Sequence, residues 1–102
     1  MIQIGDIVSL KNGQTYGQVI KIWTDWKQEK WGKYRIIDAS SGELMICPDL
    51  PRCRPDEGCV ICTINRPLKD FNKWNEIDIK YYKEEGMLTE KIYSKAMKNI
   101  SG

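Results

Sequence analysis

All four cysteines of the chain, Cys47, Cys53, Cys59 and Cys62, fall within 16 consecutive residues, and the chain contains no histidine. Four cysteines scattered at random would group this tightly only on the order of 1% of the time, so the grouping calls for a cause. Zinc suits them: it prefers tetrahedral coordination, thiolate is among its best ligands, and a four-thiolate site is closed and structural. Cys59-Val60-Ile61-Cys62 has the two-residue spacing that turns both sulfurs onto one ion. Cys47 to Cys53 and Cys53 to Cys59 each enclose five residues, wider than the usual spacing of about two to four. Pro48, Pro51 and Pro55 offset that width, since fixed φ angles lower the entropy of holding a wide loop around a metal. The expectation is a loop over residues 47–62 clamped by structural zinc, with Cys47, Cys53, Cys59 and Cys62 as ligands. Metal-free reduced thiols, disulfides and an iron–sulfur cluster are the alternatives, although the bacterial ferredoxin spacing is absent. A redox dithiol at Cys59 and Cys62 normally follows a strand and opens a helix in an alternating α/β chain, and no such pattern surrounds this one.

At 102 residues with 41% hydrophobic content, the chain supports one compact core rather than two. The absence of histidine excludes serine-histidine triads and histidine-rich zinc sites. A net charge of +2 does not by itself argue for nucleic acid or membrane. The opening Met-Ile-Gln-Ile-Gly-Asp lacks the basic start and apolar run of a secretory signal, and no apolar stretch approaches about 18 residues. A cytoplasmic protein with reduced cysteines is therefore expected, with no membrane association. Ile, Lys, Asn and Tyr supply 36 residues, all with AT-rich codons, which points to a low-GC bacterium or its phage.

The first half reads as short strands punctuated by glycine. Ile7 to Leu10 is an apolar run ending at Lys11-Asn12-Gly13, a strong turn signal. Tyr16 to Trp23 alternates, Tyr34 to Ala39 is a third strand, Ser40-Ser41-Gly42 is a turn, and Glu43 to Ile46 is a fourth strand. Consecutive strands with tight turns imply an antiparallel meander that closes or is covered to protect its edges. Gly5-Asp6-Ile7-Val8-Ser9-Leu10, then Gly13 and Gly17-Gln18-Val19-Ile20-Lys21-Ile22, resembles the opening of bacterial Src-homology-3-like barrels, including KOW-type domains. In that resemblance Gly5-Asp6 opens the first strand and the second glycine-valine pair starts a long bent strand. It covers roughly the first half of the chain and implies a binding module for RNA, DNA or protein, with no catalytic residue.

Beyond the cysteine loop, Val60 to Ile64 is a candidate returning strand. Asn65 to Tyr82 is ambiguous: Pro67 with Leu68, Phe71 and Trp74 fits a helix start, whereas Ile77, Ile79 and Tyr81 alternate as in a strand. Leu88, Ile92, Ala96 and Ile100 recur every four residues, an amphipathic helix with Thr89 as N-cap. The fold class expected is a single α+β domain over residues 1–102. It comprises a small antiparallel Src-homology-3-like β-barrel or curved sheet over 3–64, with the metal-clamped loop, and a mixed segment over 65–102 ending in a C-terminal helix.

Residues 21–35 hold three of the four tryptophans and carry five basic against two acidic residues. Residues 38–57 carry two basic against five acidic, so the chain is polarised rather than basic. Trp23 and Trp74 are read as core, while Trp26 and Trp31, flanked by Lys27, Lys30, Lys33 and Arg35, are the candidate partner-binding surface. Lys21 joins them in a nucleic-acid reading. Asp25 and Glu29 inside the segment count against phosphate tracking, which favours a protein partner, such as a host protein inhibited by a phage or mobile-element product, over nucleic acid. Gly5, Gly13 and Gly17 lack the following helix of a phosphate loop, and Asp56-Glu57, Glu76-Asp78 and Glu84-Glu85 lie in polar surroundings. No enzymatic activity is expected.

Overall fold

The computed structural model describes residues 1–11, 13, 15–48, 53, 54, 59 and 61–101. Strands β1 (Ile7–Leu10), β2 (Tyr16–Thr24) and β3 (Lys30–Ile36) form an antiparallel meander. β4 (Thr63–Pro67) pairs with the outer edge of β3, and β5 (Phe71–Lys73) returns to pair with β1. The sheet order is β4-β3-β2-β1-β5, antiparallel throughout. A 3-10 turn at Leu68–Asp70 joins β4 to β5, and helices α1 (Glu76–Glu84) and α2 (Glu90–Ser101) complete the α+β domain.

The sheet is open in its hydrogen bonding and is not a closed barrel, but it curls. A Cβ on Gly32 of β3 would lie 2.7 Å from both Leu68 and Phe71, although β3 and β5 are separated in the sheet by β2 and β1. Tyr34 and Phe71 meet edge to face at 5.6 Å. Val8, Val19, Tyr34 and Phe71 fill the concave face, with Leu10, Ile22, Ile36, Ile64 and Leu68 around them. The bend is built into β2, whose pairing with β3 slips between Val19 and Lys21. Gly17 is obligatory beside it, because a Cβ there would meet the Arg35 carbonyl at 2.2 Å.

The opposite face carries the second core. Ile7, Tyr16, Ile37 and Trp74 pack against Ile79, Leu88, Ile92 and Ala96 of the helical half. Tyr16 stacks on Trp74 at 5.0 Å and meets Tyr82 edge-on at 5.5 Å. Its hydroxyl donates to the Met87 carbonyl at 2.7 Å. The buried Gln18 amide donates to the carbonyls of Gly5 and Ile92, which ties β2 to α2. Among the described residues, no helix is long and apolar enough to cross a membrane.

Several boundaries differ from expectation for physical reasons. The third strand begins at Lys30 rather than Tyr34, and Glu43 to Ile46 is reduced to a single bridge, Ile37 with Leu44. β3 has one free edge, and residues 63–67 occupy it along Trp31 to Arg35. The returning strand starts at Thr63 because the chain turns through Cys62 just before it; Val60 lies outside the described residues. Pro67 introduces a 3-10 turn rather than a helix. The alternation of Ile77, Ile79 and Tyr81 belongs to helix α1, where Asn75 Oδ1 accepts from the Asp78 N–H and Glu76 pairs with Lys80. Only Ile79 turns inward; Ile77 is 78% exposed. Thr89 occupies the N-cap position of α2, with its carbonyl accepting from Tyr93, but its buried hydroxyl has no hydrogen-bond partner among the described residues.

Burial pushes the Tyr16 phenol from its ordinary 10.0 up to about 12. Below pH 10 the phenol is neutral in both states, so its native environment is undisturbed. Between pH 10 and 12 the unfolded chain releases this proton while the folded chain holds it, so stability falls as pH rises through that window. Burial shifts Tyr34 in the same direction. Tyr16→Phe is expected to lose about 1 kcal/mol at neutral pH, through the unpaired Met87 carbonyl. It should also show a shallower alkaline loss than the wild type, read by urea denaturation at neutral pH and above pH 10.

Candidate metal centre and aromatic hairpin

The connection from β3 to β4 leaves and re-enters the sheet at the same place. The Ile36 N–H donates to the Cys62 carbonyl at 2.9 Å, and the Met45 N–H donates to the Ile36 carbonyl at 2.8 Å. Cys47 and Cys62 are thereby delivered to the same end of β3. The four sulfurs lie within 4.8 Å of one another. Cys47 approaches Cys59 at 3.7 Å and Cys53 approaches Cys62 at 3.5 Å. A zinc–sulfur bond of about 2.3 Å in a tetrahedron places its sulfurs about 3.8 Å apart, so this cluster has the size of a four-thiolate site. All four thiols are free, and these separations exceed the roughly 2.05 Å of a disulfide. The cluster can hold a metal ion.

Its electrostatics suit a cation. The backbone N–H groups of Cys62 and then Ile61 donate to the Cys59 sulfur and lower its pKa to about 6. Burial raises Cys53 and Cys62 instead, with neighbouring thiols also raising Cys53. Four crowded sulfurs without a cation cannot all ionise, and a bound dication reverses that penalty. Cys47, Cys53 and Cys62 are buried, with Cys59 half-exposed, and Met45 packs against them as a third, satellite core. The Thr63 hydroxyl donates to the Cys59 carbonyl, fixing the last turn before β4. Pro51 and Pro55 lie outside the described residues.

The candidate partner-binding residues are distributed along the β2–β3 hairpin. Trp26 and Lys27 sit in its turn, where Trp26 is 84% exposed and the Lys27 ammonium lies 4.9 Å from its ring centre. Trp31 lies within β3 rather than in the connection. It pairs across the strands with Trp23, their rings nearly parallel at 6.4 Å. Trp23 is half-exposed in that stack, outside both cores, whereas Trp74 is core as expected. Lys21 lies 5.6 Å from the Trp23 ring centre, and Lys30 is exposed at the start of β3. Lys33 is buried and Arg35 half-buried further along β3, so these two stand apart from the exposed tip.

Sequence reasoning missed the organiser of this hairpin. Asp25 Oδ1 accepts from the Lys27 and Glu29 N–H groups, and Oδ2 accepts from the Trp31 indole at 2.8 Å. These bonds, the Glu29 N–H foremost, hold the Asp25 carboxyl below its ordinary value. The signal was available, because an aspartate two residues before a turn amide is an Asx-turn signature. Glu29 pairs with Lys69 at 3.4 Å. An open groove of about 330 Å³ lies beside Leu10, Lys11, Gly13, Arg66 and Asp70, with two cations and one carboxylate in its lining.

Comparison with protein-family models, curated proteins and solved structures finds no match to this chain.

Gln28 adopts φ +67° in the hairpin turn, a region that disfavours any residue bearing a Cβ. Gln28→Gly is expected to stabilise the domain by about 0.5–1 kcal/mol, and Gln28→Val to destabilise it, measured by thermal melting. The depressed Asp25 carboxyl contributes stability above its ordinary 3.8 that is lost as pH falls toward its folded value. Asp25→Ala should therefore reduce the loss of stability on acidification and shift the fluorescence of Trp31.

Proposed function

We propose that this chain is a small, non-enzymatic binding module in which a zinc ion holds the β3–β4 loop and the β2–β3 hairpin tip makes the functional contact. The observation that carries the reading is Trp26, 84% exposed on a turn whose geometry is enforced by three hydrogen bonds to one carboxylate. A large apolar ring held rigidly in water gains by contact with a partner and loses little entropy on binding. Zinc is favoured among metals by the all-thiolate donor set and by sulfur separations of 3.5 and 3.7 Å. Four thiolates leave no open coordination position, which supports a structural role over catalysis. A reducing compartment keeps such thiols available to the metal.

The Src-homology-3-like reading of the fold draws support from β1 opening directly after Gly5-Asp6 and from β2, nine residues long and bent at its register shift.

Native mass spectrometry of the chain grown with zinc should find one ion per chain, and cobalt substitution should give the visible absorption of a tetrahedral thiolate site. With zinc at about a thousandfold its dissociation constant, linkage contributes about 4 kcal/mol, so chelator and Cys59→Ser should each lower the melting temperature markedly. Identical melts with and without chelator would remove the clamp. For the contact surface, wild type and Trp26→Ala are compared as bait in a cell lysate: the variant should lose whatever the wild type retains, and equal retention would place the contact elsewhere.

A further inference from the structure

The β2–β3 hairpin exposes Trp26 together with Lys21, Lys27 and Lys30, while Trp23 and Trp31 are half-buried in their cross-strand stack, and this arrangement distinguishes between kinds of partner. Resting on the reading of this tip as the contact surface, we propose that its ligand is single-stranded nucleic acid, bound by base stacking on Trp26 and by phosphate contacts to Lys21, Lys27 and Lys30.

The two acidic residues of this segment do not face an incoming phosphate. Both oxygens of Asp25 are turned inward onto two backbone amides and the Trp31 indole, and Glu29 is paired with Lys69. What the tip presents to solvent is therefore its lysines. Residues 21–35 carry five basic against two acidic residues, and the exposed cations among them are Lys21, Lys27 and Lys30.

Lysine is depleted at protein–protein interfaces, because its ammonium is strongly hydrated and its long stem loses entropy on docking. Lysines beside aromatic rings are instead the composition of a single-strand platform, where bases stack on the rings and cations neutralise the backbone. Here the cations are already in position. The Lys27 ammonium lies 4.9 Å from the Trp26 ring centre and the Lys21 ammonium 5.6 Å from that of Trp23. With Lys27 near its ring and 84% of Trp26 exposed, ring surface remains for a base, whose flanking phosphate can then meet the ammonium. Stacking needs unpaired bases, so the ligand is a single strand rather than a duplex. The stacking residues select no particular base, so binding should be broad in sequence.

The test is fluorescence anisotropy of the zinc-loaded full chain with labelled oligo-dT, oligo-U and a matched DNA duplex, titrated at several salt concentrations, with folding of each variant checked by melting. The proposal expects both single strands to bind more tightly than the duplex. Three phosphate contacts give a slope of log affinity against log salt of about −2. Trp26→Ala should weaken binding about tenfold or more. Lys27→Glu, at an exposed position, should weaken it as well and flatten the salt dependence, while Ile77→Ala on α1 should leave it unchanged. Tighter duplex binding, indifference to Trp26→Ala and Lys27→Glu, or no binding at about 100 μM protein in about 50 mM salt would each overturn the proposal. If oligonucleotides fail but Trp26→Ala removes a nuclease-resistant protein captured by the wild type, the ligand is a protein and the contact surface stands. If Trp26→Ala changes neither, the contact surface falls too.

Discussion

The ladder between β3 and β4 joins residues 31–35 to residues 63–67 across a connection that runs from 37 to 62, and much of the domain depends on that ladder forming. Closing a flexible loop of this length costs about 3 kcal/mol in its length-dependent term alone. A metal ion shared by Cys47, Cys53, Cys59 and Cys62 would offset much of that cost, because it would divide the long loop into several short ones. Backbone bonds from Ile36 to Cys62 and from Met45 to Ile36 then hold both ends of the loop against β3. Placing β4 also places the 3-10 turn and β5 beyond it. Leu68 and Phe71 reach back over Gly32 and Tyr34, which completes the concave core only if β4 has been delivered to the edge of β3.

The sheet then serves two cores. Its concave face is filled from its own strands, while its other face takes the helices through the aromatic group Tyr16, Trp74 and Tyr82. The polar groups buried there act as ties: Gln18 bonds across to Ile92, and Asp6 receives the Asn99 amide and the Lys73 ammonium, joining the amino terminus to α2 and β5. Each tie satisfies groups whose burial would otherwise be costly, so the helices are fixed in orientation as well as held by apolar contact.

What could be read from sequence was what local pattern determines. The cysteine grouping, the turn after Leu10, the long second strand and the four-residue recurrence from Leu88 to Ile100 all depend on neighbours in the chain. The choice between residues 43–46 and 63–67 as partners for β3 does not, since both segments suit a strand and only one edge is free. Ile77, Ile79 and Tyr81 alternate, yet the Asn75 cap and the Glu76–Lys80 pair favour a helix that leaves Ile77 and Tyr81 in solvent. The Trp23–Trp31 stack is a matter of cross-strand register, which residue spacing alone does not disclose. Asp25 shows the same limit for charge: a sequence count records a carboxylate, whereas the fold commits it to turn amides.

The metal centre and the hairpin tip lie at opposite ends of β3, with Arg35 and Ile36 beside the cysteines and Lys30 beside the turn. A strand of seven residues spans about 20 Å, longer than the Debye length of about 8 Å at physiological salt. The charge of a bound ion is therefore screened from the tip, and the two sites cannot communicate by direct electrostatics. What connects them is the rigidity of β3 itself, paired on one side with β2 and on the other with β4. A clamp that secures β4 stiffens the strand on which Trp31 is mounted, and Trp31 in turn positions Asp25 through its indole bond. If the proposed ion is bound, it would act on the tip mechanically, by limiting the conformations available to the turn that carries Trp26. On the proposed reading, removing the ion would weaken binding through disorder rather than through any lost contact.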